Sequence, residues 1–102
     1  MHKAAKKEFD ELHERGQENL IRFLQLEVEL AQTMGRISET TESPDHRARL
    51  LSNVREAIKA VYQFEGRIGD ASIRERLHRD AEKLERFVDS AKADSRDIQD
   101  LG

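Results

Sequence analysis

The stretch "FLQLEVELAQTMG", Phe23 to Gly35, carries two rhythms at once. Leu24, Leu26, Val28 and Leu30 alternate with Gln25, Glu27 and Glu29, as along a strand with one solvated face. Phe23, Leu26, Leu30 and Met34 recur at steps of three and four, as along one side of a helix. The surrounding residues decide between them. At about 100° per residue, Phe9, Leu12, Gly16, Leu20, Phe23, Leu30, Met34 and Ile37 fall within roughly 80° of a common direction. Ile21, Leu24 and Val28 widen that stripe, and no turn signal precedes Leu24. The alternation is therefore a broad apolar helix face sampled closely. The pattern predicts a first helix over residues 4–38. Gly16 lies near the middle of the stripe without shifting its phase, and Gly35 is a candidate for an earlier C-terminal cap.

"TTESPDH" is the strongest punctuation in the chain. Ser43 can cap a helix, Pro44 suits its first position, and Asp45 favours the positive end of its dipole. A second helix over 44–66 then carries Leu50, Leu51, Val54, Ala57, Ile58, Val61 and Phe64 on one side, with Ile68 in the same phase. Beyond "EGRIGDAS" the apolar positions are Ile73, Leu77, Ala81, Leu84, Phe87, Val88 and Ala91. Extended along one straight helix, they would point roughly 140° away from the preceding stripe. A break is required, and Gly66 and Gly69 offer it. Ser72 with Glu75 forms a capping box for a third helix over 72–92. Residues 93–102, "ADSRDIQDLG", hold only Ile98 and Leu101 and are expected to fray.

The expected fold is all-α: one domain, a three-helix antiparallel bundle with a long N-terminal helix. That helix spans about 50 Å and the others about 30 Å, so its N-terminal part overhangs. An overhanging apolar strip is best covered by a second copy, which predicts a homodimer. The expected interaction surface is Phe9, Leu12, Gly16, Leu20 and Phe23.

Composition agrees with long helices wetted on one side: 36% of residues are hydrophobic and 38% charged, with a single proline. The eighteen basic and twenty-one acidic residues are well mixed, for a net charge of −3. Neither nucleic acid nor an anionic membrane is the expected partner. No cysteine is present, which excludes disulfides and thiolate chemistry. The apolar runs are too short to span a bilayer, and no apolar segment follows the basic start "MHKAAKKEFDELHERG". A cytoplasmic location is the expectation.

Candidate chemistry is sparse. Asp10 with His13, and Glu75 with His78, have the three-residue spacing that puts carboxylate and imidazole on one helix face, as di-iron bundles require. Glu75, however, points away from the third helix's apolar stripe, and further inward carboxylates are lacking. Ser43 and Ser72 read as caps rather than nucleophiles, and the five glycines are too scattered to cradle a phosphate. Arg74, Arg76 and Arg79 follow a turn but are interleaved with Glu75 and Asp80, a salt-bridged outer face rather than a DNA-reading helix. Arg55 and Lys59, near Tyr62, could meet an acidic partner. "AEKLERFV" resembles the last helix of tetratricopeptide-type adaptor hairpins over eight residues, without a repeat period. No catalytic, cofactor or metal residue is assigned. The expected function is a non-enzymatic interaction or scaffold protein that self-associates and docks a partner helix. The alternative is a bundle holding a small ligand or metal between its helices, as a sensor or small enzyme.

Overall fold

The computed structural model describes the backbone of residues 2–100 and the side chains of residues 11 and 13–91. Helix α1 spans His2–Thr40, α2 Pro44–Phe64 and α3 Ala71–Asp100. A single 3-10 turn, Glu65–Arg67, follows α2. The chain is an all-α antiparallel three-helix bundle with a long first helix. Its Cα envelope measures 73 × 21 × 15 Å.

The α1–α2 corner is built as its sequence suggests. The Ser43 hydroxyl accepts the His46 amide at 3.2 Å, and Pro44 occupies the first helical position. Arg47 then reaches back, donating from Nε to the Ser38 carbonyl at 2.9 Å and from Nη2 to the Thr41 carbonyl at 3.0 Å. A guanidinium at these last carbonyls neutralises the negative end of the α1 dipole.

The second corner departs from expectation in detail. Neither Gly66 nor Gly69 has a positive φ, so left-handed backbone does not make the turn. Ile68 makes it by adopting an extended conformation and inserting its side chain, 1% exposed, into the end of the core. Asp70, not Ser72, caps α3: its Oδ1 accepts the Ile73 amide at 3.1 Å, and its carbonyl accepts the Arg74 amide. Ser72 lies inside the helix and is exposed. Gln17 fastens this turn to α1, its Nε2 donating to the Arg67 carbonyl at 2.7 Å and its Oε1 accepting the Gly69 amide at 3.0 Å. The fifteen residues of α1 that precede Gln17 run past the turn for about 22 Å.

The core joins Leu24, Val28 and Ala31 of α1, Leu51, Val54, Ala57, Ile58 and Val61 of α2, Ile68, and Leu77, Ala81, Leu84 and Val88 of α3. Most of the expected α2 and α3 stripes lie in this core, with Phe64, Ile73, Phe87 and Ala91 partly buried against it and Leu50 buried outside it. The stripe of α1 is corrected: it is two faces rather than one. Leu24, Val28 and Ala31 are at most 3% exposed, whereas Phe23, Leu26, Leu30 and Ile37 are 41–56% exposed. The centres of the two sets lie roughly 130° apart around the helix. Gly35 is no cap either: α1 continues to Thr40, and Gly35 is buried where the Phe87 ring would lie 3.2 Å from an added Cβ. Helix α3 continues to Asp100, past the expected end at Lys92. The side chains of the tail expected to fray lie outside the described residues.

Candidate interaction surface

On α1 the exposed apolar residues, with Thr33 among them, follow an alternation of three and four. Phe23, Leu26, Leu30, Thr33 and Ile37 occupy successive seam positions of a heptad, with Gly16 and Asn19 continuing the register toward the N-terminus. The alternating leucines of "LQLEVEL" thereby divide. Leu24 and Val28 turn inward, and Leu26 and Leu30 turn outward. Arg22, Glu29 and Arg36 flank one edge of the seam and are exposed. The other edge, Leu20, Glu27 and Met34, is half-buried where the seam meets the bundle.

Of the expected interaction residues, Phe23 lies on this exposed face at 46% exposure, and Gly16 is exposed with no neighbour within 4 Å of an added Cβ. Leu20 is half-buried and packs against the core. The side chains of Phe9 and Leu12 lie outside the described residues. Leu26, Leu30 and Ile37 belong to the same outward face but were absent from the expected set. Their signal in the sequence is the regular three-four spacing, which a circular average over all apolar residues blurs.

The densest polar cluster lies at the opposite side of the bundle, between the end of α2 and α3. His78 Nδ1 meets the Glu65 carboxylate at 3.0 Å, and its Nε2 meets Glu82 at 3.0 Å. The hydrogen bond to Glu65, reinforced by the nearby carboxylates against a smaller opposing effect of burial, raises the His78 pKa above its ordinary 6.5. The Tyr62 ring tilts against the imidazole with centroids 5.4 Å apart, and its hydroxyl donates to Glu85 at 2.7 Å. That bond pushes the Tyr62 pKa up to about 12. The Tyr62 hydroxyl is thereby held protonated, and both ring nitrogens of His78 are engaged by carboxylates. The carboxylates approach opposite nitrogens of one ring and cannot converge on a single ion. Among the described residues no group of three or more His, Asp or Glu is placed to hold a metal.

A cleft of about 390 Å³ opens between α1 and α3, where the helices touch least, beside Gly35 and Phe87. Arg36 and Lys83 oppose Glu39 and Asp80 along its rim. The cleft carries charges of both signs and is open to solvent. Arg74, one of the basic residues after the turn, donates to the Ile68 carbonyl at 3.0 Å and serves the fold. Arg55 and Lys59 are exposed, and Lys59 pairs with Glu56 at 3.4 Å. No helix among the described residues is long and apolar enough to cross a membrane. Compared with protein families, with curated proteins and with solved structures, the chain matches none.

Proposed function

We propose that the chain is a non-enzymatic helical interaction module that self-associates through the outer face of α1. The observation carrying this reading is the in-line exposure of Phe23, Leu26, Leu30 and Ile37 on a helix whose other flank is already packed in the core. Large apolar residues exposed singly are ordinary. A line of them about 21 Å long, interrupted only by Thr33, is a surface that water solvates poorly and a helix covers well. A second copy supplies the identical stripe, and a two-fold contact is self-complementary. A helix from another protein with the same spacing would compete for this face.

Substituting Leu26→Glu together with Leu30→Glu tests the reading. Both side chains face solvent in one chain, so the variant should keep its helical circular dichroism while losing association in sedimentation or light scattering. A variant that associates as the parent does would contradict the proposal.

A further inference from the structure

Resting on the self-association proposed above, the geometry points to a particular pairing: two copies of α1 side by side, parallel and unstaggered, as a two-stranded coiled coil. In that arrangement every seam residue meets its own copy. Phe23, Leu26, Leu30 and Ile37 form wholly apolar layers, while Asn19 and Thr33 pair with themselves in polar ones. The flanks are compatible in charge. Arg22, just before the Phe23 layer, falls beside Glu27 of the second copy, just after the Leu26 layer, and the pair repeats on the other side of the two-fold axis. The other flank contacts each join one charged residue to an uncharged one.

Antiparallel pairing is worse in each alignment that keeps the seam. Those centred between residues 19 and 36 set Phe23 or Leu30 against Asn19, Thr33 or Thr40, and those centred nearer the overhang bring Arg15 against Arg22 or against itself. One of the former also brings Arg15 against Arg36, which offsets its pairing of Arg22 with Glu29. Another brings Glu27 against Glu27 and Glu29 against Glu29, like charges that repel. The bundle does not obstruct the parallel pair, because the core and seam faces of α1 point roughly 130° apart. The parallel order also sends both N-terminal parts of α1 out of the same end of the assembly.

The absence of cysteine makes the pairing directly testable. Asn19→Cys places a thiol on the seam, where a parallel pair brings the two Cα atoms within the span of about 4.4–6.8 Å that a disulfide bridges. Glu18→Cys, exposed and one position outside the seam, is the control. The expected result under mild oxidation is near-complete covalent dimer for Asn19→Cys and little for Glu18→Cys, with both variants dimeric by mass before oxidation. Dimeric mass with no cross-link at Asn19→Cys, or equal cross-linking of both variants, overturns the parallel pairing and leaves self-association standing. Monomeric mass at high micromolar concentration overturns both.

Discussion

Leu24 and Leu26 are two residues apart in one helix, yet truncating each to alanine should have different consequences. Removing three carbons from a buried side chain forfeits about 2.4 kcal/mol of transfer free energy at ~0.8 kcal/mol per methylene. Leu24 is 0% exposed and packs in the shared core, so a cavity cost adds to that loss. Leu24→Ala should therefore lower folding stability by about 2–5 kcal/mol. Leu26 is 56% exposed, so less than half of the transfer energy is at stake and solvent fills the space left behind. Leu26→Ala should cost one chain about 1 kcal/mol or less, with the higher helix propensity of alanine offsetting part of that. The same substitution should weaken association, because it removes an entire apolar layer from the seam. Urea unfolding followed by circular dichroism, at a concentration where the mass is that of one chain, gives the first quantity. Sedimentation at higher concentration gives the second. Equal destabilisation by the two substitutions in the monomer would refute the division of α1 into a core face and an outer face.

Gln17→Ala removes both hydrogen bonds that tie the 67–69 turn to α1 and should cost about 1–2 kcal/mol, seen as a lower urea midpoint and faster exchange of the Gly69 amide. Asp70→Ala should lose about 1 kcal/mol through loss of the α3 cap, while Ser72→Ala should be nearly silent in the same unfolding assay. His78 has a folded pKa raised above 6.5, so its contacts with Glu65 and Glu82 contribute fully below pH 6.5 and fade as pH rises through the folded value. Urea midpoints should accordingly fall across that rise in the parent and stay flatter in His78→Gln. Gly16→Ala, in open space within a helix, should stabilise by up to about 1 kcal/mol. Gly35→Ala should gain less or lose, because the Phe87 ring must give way, and equal thermal shifts for the two would contradict that packing.

Much of the architecture was legible because single residues announce it. Ser43 followed by Pro44 has one sensible reading, and the opposed stripes on either side of "EGRIGDAS" forbid a continuous rod. The apolar positions of α2 and α3 point one way each, and most of them are found in the core or packed against it. The α3 cap was less legible, because Asp70 and Ser72 are both good caps two positions apart. Burial of Ile68 decides between them, since an extended residue plugging the core leaves Asp70 as the first place where the helix can begin. The two faces of α1 are blurred together when all its apolar residues are read as one stripe. Its apolar residues cover a wide arc, and the side to be buried depends on the angle at which α2 and α3 dock. Leu20 was assigned to the outer surface for that reason, although it packs against the core. The Glu65 contact with His78 was equally hidden, because Glu65 arrives from across the turn at a sequence separation of thirteen.

Sedimentation equilibrium of the unmodified chain, from low to high micromolar concentration, tests the proposed role of the outer α1 face most directly. The account predicts an apparent mass that climbs with concentration toward twice that of one chain. A mass that stays at one chain across the whole range would contradict it.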